Sequence, residues 1–182
     1  LRFNADGTPD TSFGTNGVVT LSFNGSVWDS AEDLVVQPDG KIVVVGVTNA
    51  GGLNDDFALL RLDANGALDT SFGSGGKVST DFEGSSDRAR RVRLQADGKI
   101  VVAGFMTHLA GPNLTSQDLA VVRYEGNGSL DAGFGVGGRF RGSAGGAYNV
   151  AYGLAIQPDG RIVVAGMTAN DLVPQVRAAG LV

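Results

Sequence analysis

Gln37-Pro38-Asp39-Gly40-Lys41-Ile42-Val43-Val44-Val45-Gly46 is the stretch on which the reading of this chain turns. Pro38-Asp39-Gly40 is a tight-turn signal, because proline presets φ and glycine accepts φ > 0. The run that follows, Ile42 to Val45, is apolar at consecutive positions, which marks a central strand buried on both faces. The segment returns as Gln95-Ala96-Asp97-Gly98-Lys99-Ile100-Val101-Val102-Ala103-Gly104, 58 positions on, and after a further 62 as Gln157-Pro158-Asp159-Gly160-Arg161-Ile162-Val163-Val164-Ala165-Gly166. A second block, Pro9-Asp10-Thr11-Ser12-Phe13-Gly14, returns as Leu68 to Gly73 and Leu130 to Gly135, with steps of 59 and 62. Two blocks moving in step over most of the chain are an internal repeat.

Each period reads as four strands, A to D. In the first full period A is expected near Ala31 to Gln37, B over Lys41 to Thr48, C over Asp56 to Leu62 and D over Lys77 to Phe82. Asp63-Ala64-Asn65-Gly66 and the compact Leu68 to Gly73 segment join C to D. No stretch carries a 3.6-residue apolar period with caps, so few or no helices are expected. Four antiparallel strands per period, with glycine-rich turns, predict an all-β chain of β-propeller blades. Such a sheet is apolar on both faces and must stack on a neighbour. A parallel β-helix is the rival, but its repeats are shorter and lack these Pro-Asp-Gly hairpins.

Composition bounds the function. The 182 residues suit one domain. A net charge of −5 argues against nucleic acid, which selects a basic stripe. The absence of cysteine removes disulfides, thiol catalysis and zinc–thiolate sites. The longest apolar stretch, Ile42 to Val47, is far short of the ~20 residues of a spanning helix, so no membrane span is expected.

The combined pattern of Gln-Pro-Asp-Gly-Lys-Ile-Val-Val-Val-Gly, then Asp56-Phe57-Ala58-Leu59-Leu60-Arg61-Leu62, Asn65-Gly66 and Leu68-Asp69-Thr70-Ser71-Phe72-Gly73, resembles the delta-sixty repeat, a bacterial β-propeller repeat of unknown function. The resemblance covers nearly the whole chain. It implies a multi-bladed propeller in secreted or surface-attached bacterial proteins, and no reaction, ligand or catalytic residue.

Leu1 to Gly7 aligns with Leu60 to Gly66, so the chain enters the pattern at the end of a strand C. The expected division is 1–23 for strands C and D of a preceding blade, 24–82 and 83–141 for full blades, and 142–182 for strands A and B with an off-pattern tail. Asp171-Leu172 matches Asp118-Leu119, but Pro174 argues against a third strand C. Twelve strands make about three blades, against about four to eight in propellers. The phasing favours a piece of a longer propeller over a second copy closing a six-bladed ring.

The A–B turn keeps its length between repeats, whereas the B–C and D–A connections vary. In an up-down blade these two emerge on one face, and variable loops on a rigid scaffold are where binding resides. The binding candidates on that face are Trp28, Asp29, Asp55, Arg88, His108 and Tyr148. The plain alternative is that these loops vary because nothing constrains them. Arg61 and Arg123, with Arg2, stand eight positions before Asp69, Asp131 and Asp10, a fixed spacing that suits a structural tie. Phe72 and Phe134, with Phe13, are expected to plug the space between blades. Glu32 and Asp33 align with Arg90 and Arg91, which suits inter-blade ion pairs.

Motifs for chemistry fail in context. Gly133-Phe134-Gly135-Val136-Gly137-Gly138 fits a dinucleotide fingerprint but precedes a strand rather than a helix. A phosphate loop at Gly75-Gly76-Lys77 has Val78 where a hydroxyl must meet magnesium. Asp63-Ala64-Asn65-Gly66 with Asp69 offers oxygen donors for calcium but lacks the EF-hand spacing, so no cofactor is expected, with calcium as the exception to test. A serine triad would need His108, the sole histidine, which falls in the longest B–C insertion. The function expected is a non-catalytic extracellular or cell-surface scaffold that binds a protein or glycan through the B–C and D–A face. The alternative is a hydrolase or lyase with a carboxylate or metal-assisted site at the channel mouth, for which converging carboxylates around one cavity are the discriminator.

Overall fold

A computed structural model describes residues 1–23, 25–49, 54–111, 114–170 and 173–177. Among them there is no helix, and eleven strands form three successive antiparallel units. The first blade is β1 (Asp29–Val36), β2 (Ile42–Thr48), β3 (Asp56–Leu62) and β4 (Lys77–Thr80), paired in that order. The second is β5 (Asp87–Leu94), β6 (Ile100–Gly111), β7 (Leu114–Tyr124) and β8 (Arg139–Gly142). The third is β9 (Tyr148–Ile156), β10 (Ile162–Asn170) and β11 (Val173–Arg177). One parallel pair, Gln117 with Tyr148, joins the second blade to the third.

The repeated motif builds each A–B hairpin in two steps. Gly40, Gly98 and Gly160 take φ of 83°, 85° and 85°, a region closed to most side chains. The aspartate before each accepts from the backbone N–H two residues on, at 3.1, 3.2 and 3.1 Å. At the far end of the hairpin lies a β-bulge. The register skips between Ala31 and Asp33, between Ala89 and Arg91, and between Ala151 and Gly153. The extra residues are therefore Glu32, Arg90 and Tyr152, one per inner strand. The partner strand runs so close there that a Cβ on Gly46, Gly104 or Gly166 would fall 1.8, 1.9 or 2.0 Å from the carbonyl oxygen of Ser30, Arg88 or Val150. The glycine that ends the motif is thus a bulge requirement.

The core lies between blades. Val43, Val45, Phe57, Leu59, Phe72 and Phe82 pack against Val92, Ile100, Val102, Met106, Val122 and Tyr124. The other face of the second blade, Val101, Ala103, Leu119 and Val121, packs against Ala151, Leu154 and Val164. Ile100 to Val102 are fully buried because neighbouring residues of a strand face opposite blades. Buried Tyr124 pairs its hydroxyl with Thr80 at 2.7 Å, and burial raises its pKa above that of an ordinary phenol.

The structure corrects three expectations. Residues 1–23 form no strand, only the bridges Phe3–Pro9 and Thr15–Val18. In the first blade β4 pairs with Phe57 to Leu60, and residues 1–23 make no such ladder. Pro174 does not prevent a third strand C: it pairs with Ala169 in β11, at the edge of its sheet, where a missing N–H breaks no ladder. Asp171 and Leu172 lie outside the described residues. Finally, His108 does not sit in a loop. The expected insertion lengthens the β6–β7 hairpin, with His108 paired opposite Ser116.

A candidate interaction face

Trp28, Arg88 and Asp55 come together at the junction of the first two blades. Trp28 immediately precedes β1, Asp55 precedes β3, and Arg88 is the second residue of β5. The Arg88 guanidinium lies 5.2 Å from the Trp28 ring centroid and donates to Asp55 Oδ2 at 2.6 Å. The carboxylate fixes the guanidinium, and the guanidinium fixes the indole. At an exposed site a cation–π contact contributes about 0.5–1 kcal/mol. The Trp28 loop is pinned from β2: Asn49 Oδ1 accepts from Val27 N at 3.1 Å, Trp28 N at 3.3 Å and Ser26 Oγ at 2.9 Å. The indole nevertheless keeps 43% of its surface exposed.

The other three candidates do not join this stack. Asp29 turns inward and accepts from Phe23 N at 3.0 Å. Burial opposes its ionisation, but hydrogen bonds from Thr48, Ser26 and Phe23 outweigh it, and its pKa is lowered. It is a turn tie rather than a binding group. Asp87 and Asn149 occupy the same position in the next blades and accept from Phe82 N at 2.6 Å and Ala144 N at 3.0 Å. That recurrence, with the same 58- and 62-residue steps, was open to sequence reading and was missed. Tyr148 is half-buried at the start of β9, and no hydrogen bond or ring contact joins it to Trp28 among the described residues. His108 Nε2 lies 2.8 Å from Ser116 Oγ and His108 Nδ1 3.6 Å from Asp118 Oδ2. Asp118 instead takes Arg141 Nε at 2.8 Å, and Arg141 reaches Glu83 at 3.1 Å. With the carboxylate committed to an arginine and Ser116 buried, the group lacks the relay that orients a catalytic histidine.

The repeated Arg, Asp and Phe residues form a tie at the opposite end of the blades. Arg61 Nε donates to Asp69 Oδ2 at 2.8 Å, reaches Gly126 O of the next blade at 2.6 Å and covers the Phe72 ring at 4.7 Å. Arg2 with Asp10 and Phe13, and Arg123 with Asp131 and Phe134, repeat the pair and the stack. Gly73 N donates to Asn127 O, as Gly14 N does to Asn65 O, both at 2.8 Å. Lys41 from the A–B turn adds an ion pair to Asp69 at 3.1 Å, and Lys99 to Asp131 at 2.9 Å. This lysine is why the two repeat blocks move in step. Asp69 is held well below the usual carboxylate range by Ser71, Lys41 and Arg61, and Asp131 likewise by Lys99, the Gly133 N–H and Arg123.

These commitments bear on metal binding. Asp63 Oδ1 accepts from Asn65 N and Ala67 N, and Asp69 faces two cations, so both carboxylates of the turn proposed for calcium also serve the fold. Asp56, Asp81 and Asp87 also bring carboxylate oxygens within 4.8 Å of one another. Both oxygens of Asp87 lie within hydrogen-bond distance of protein groups, Oδ2 of Phe82 N and Oδ1 of Ser85 Oγ at 2.7 Å. The cluster is a polar seam between blades and is not read as a metal centre. Burial, with repulsion from Asp81 and Asp55, pushes Asp56 up to about 6. Burial, with Asp81 and Asp56, pushes Asp87 up to about 7.

The strand A charges form inter-blade pairs with one change of partner. Glu32 meets Arg90 at 3.1 Å, while Asp33 meets Arg93 at 3.0 Å and not Arg91. Asp33 Oδ2 also accepts from Val92 N at 3.1 Å, which places it beside Arg93, and Arg91 turns to the Arg90 carbonyl.

A search of curated proteins returned no match. Residues 1–13, 37–72 and 95–134 match the family model described as a domain of unknown function (DUF5122) beta-propeller. The two longer matches run from the Gln-x-Asp-Gly turn through the Arg–Asp–Phe tie, and Trp28, Arg88 and Tyr148 lie outside them. Repeated antiparallel sheets stacked face to face, together with that likeness, make this chain an all-β, partial β-propeller.

Proposed function

We propose that the chain is a non-catalytic interaction module that binds a protein or glycan through the B–C and D–A loop face, centred on Trp28, Arg88 and Asp55. The observation that carries this reading is an exposed indole with a guanidinium 5.2 Å from its ring centroid, held there by a carboxylate at 2.6 Å. A preorganised aromatic loses little entropy on binding, and its face suits a sugar ring or an apolar anchor of a protein. The delta-sixty resemblance supports a secreted or surface-attached bacterial setting. No helix among the described residues is long and apolar enough to cross a membrane, and the acidic charge disfavours nucleic acid.

Trp28 is the sole tryptophan, so its fluorescence reports its own site. Titration with a panel of soluble oligosaccharides is expected to give saturable quenching that Arg88→Ala abolishes without changing the unfolding free energy by more than about 1 kcal/mol. A protein partner would show as binding that Trp28→Ala removes. Equal binding by the wild-type chain and Trp28→Ala would overturn the reading. The alternative, a hydrolase or lyase, draws on the convergence of Asp56, Asp81 and Asp87, where one neutral and one ionised acid could share proton transfer. That trio lies at a seam, where Asp81 borders a cavity with Glu83 and Arg141. Turnover of glycosides lost in Asp81→Asn would favour it.

A further inference from the structure

Ser85 holds the observation. Its hydroxyl oxygen lies 2.6 Å from the Phe82 carbonyl oxygen and 2.7 Å from Asp87 Oδ1. A hydroxyl has one proton. An ionised Asp87 and the Phe82 carbonyl both only accept, so Ser85 can serve one of them at a time. A neutral Asp87 protonated on Oδ1 makes every short contact a hydrogen bond: Oδ1 donates to Ser85, Ser85 donates to the Phe82 carbonyl, and Oδ2 accepts from Phe82 N at 2.6 Å.

We propose that Asp87 is a neutral carboxylic acid that donates to Ser85, and that it acts as a proton-dependent latch on the loop-face junction of the first and second blades. The next blade supplies independent support. Asn149 occupies the same repeat position, and its Oδ1 accepts from Ala144 N as Asp87 Oδ2 accepts from Phe82 N. Its Nδ2 is a donor, to Gln117 O and Gly146 O at 3.0 Å. One blade fills the position with an amide donor, the other with a protonated acid. The surroundings agree. Asp87 is fully buried, and the charged groups about it are Asp56 at the start of β3 and Asp81 beyond β4. Nearby Asp55 and Arg88 are spent on one another. On β6 its register partner is Met106, with His108 two positions on facing Ser116. Burial and the two carboxylates push its pKa up to about 7. At the equivalent position of the first blade burial likewise opposes ionisation, but hydrogen bonds from Thr48, Ser26 and Phe23, with Lys77 nearby, hold Asp29 low.

Loss of the proton changes the hydrogen bonding in a defined way. The Ser85 hydroxyl turns to the new carboxylate, and the Phe82 carbonyl loses its short bond. Phe82 packs edge-on against Phe57 at 5.4 Å, so the change is felt in the inter-blade core. It also reaches the loop face, because Asp87 N donates to Asp55 O at 2.6 Å and Asp55 anchors the Arg88–Trp28 stack. The latch is closed in mildly acidic surroundings and slackens as pH rises through neutrality. The inference does not depend on whether Trp28 binds a ligand.

The test is a carbon-13 NMR titration of the aspartate side-chain carboxyls of the full chain, with Asp87 assigned from the resonance missing in Asp87→Asn. The expected result is a midpoint near pH 7, moved down in Asp81→Asn by loss of a neighbouring charge. A midpoint in the ordinary carboxylate range, about 3.9, overturns the proposal. Trp28 fluorescence gives a second readout between pH 5 and 9, and it does not require the Asp87 variant to fold. A transition with the same midpoint as the carboxyl titration supports the latch, and a flat profile overturns it. Histidine is the other side-chain type that changes charge in this range. Asp56 is expected to titrate at about 6. A transition that persists in His108→Gln and in Asp56→Asn is assigned to Asp87, and its disappearance in either variant overturns the latch.

Discussion

Two glycines of one hairpin are required for different reasons. Gly98 turns with φ of 85° and has open space around its missing Cβ, whereas Gly104 faces the Arg88 carbonyl at a distance no Cβ can occupy. Gly98→Ala is therefore expected to cost only the left-handed backbone term, about 1–2 kcal/mol. Gly104→Ala must also undo the bulge and is expected to cost more than that, on top of the about 1–3 kcal/mol of an overpacked site. Urea unfolding of the two variants checks the order. Phe72, fully buried under the Arg61 guanidinium, is expected to cost about 3–5 kcal/mol as alanine. The roles of such residues were only partly legible. The Phe, Arg and Asp positions stand out because they repeat. The bulge behind Gly46 does not, because pairing register is a property of two strands and the sequence displays one at a time.

At the scale of elements, β3 is the strand whose bounds follow directly from the residues. Turn-forming Asn54 and Asp55 precede it, Asp63 follows it, and only Arg61 interrupts the apolar run from Phe57 to Leu62. The β6–β7 hairpin is the opposite case. Gly111 and Pro112 read as loop signals, yet a hairpin can extend until it reaches them, and pairing of Leu109 with Thr115 carries the ladder that far. His108 changed from a solvated loop residue to a strand residue for that reason alone. The inter-blade charges were legible as a pattern of opposite signs, but the partner of Asp33 was not, since Arg91 and Arg93 are cations two positions apart on one strand and alternation puts both on the same face. Those pairs are partly exposed, so the Glu32–Arg90 coupling is expected to be within about 0–1 kcal/mol. A double-mutant cycle with Glu32→Gln and Arg90→Gln measures it. A coupling near zero would leave the Asp33 contacts to Val92 N and Arg93 and hydrophobic stacking to join the inner strands at that point.

Over the whole molecule the titrating carboxylates pull in two directions. Asp69 and Asp131 have lowered pKa values, so their contribution is present above the unfolded value of about 3.9 and is lost as pH falls through their folded values. Asp56 and Asp87 are raised to about 6 and about 7. Between about pH 4 and 7 the unfolded chain has released protons that the folded chain still binds, so stability falls as pH rises across that window. The stability maximum is thus expected near pH 4–5 rather than at neutrality. A thermal-midpoint profile shows it, and Asp87→Asn is expected to flatten the decline on the neutral side.

The face of the first blade that looks away from the second carries the last expectation. Leu34 and Val36 are 55% and 58% exposed there, and with Val44, Leu60 and Leu62 they line a groove of about 410 Å³. Val92 and Leu94, the equivalent residues of the second blade, pack against the first blade. The free face therefore has the chemistry of an inter-blade face, and exposed apolar surface of this kind drives association. We propose that another blade covers it, from a longer chain or from a second copy. The 182-residue chain alone is expected to self-associate in light scattering at micromolar concentration, and Leu34→Glu with Val36→Lys to return it to the monomer mass. Both substitutions fall on exposed positions, so cooperative unfolding should survive them. A wild-type chain that stays monomeric at high concentration would show instead that residues 1–23, which place Phe13, Val19 and Leu21 along the same groove, cover the face well enough on their own.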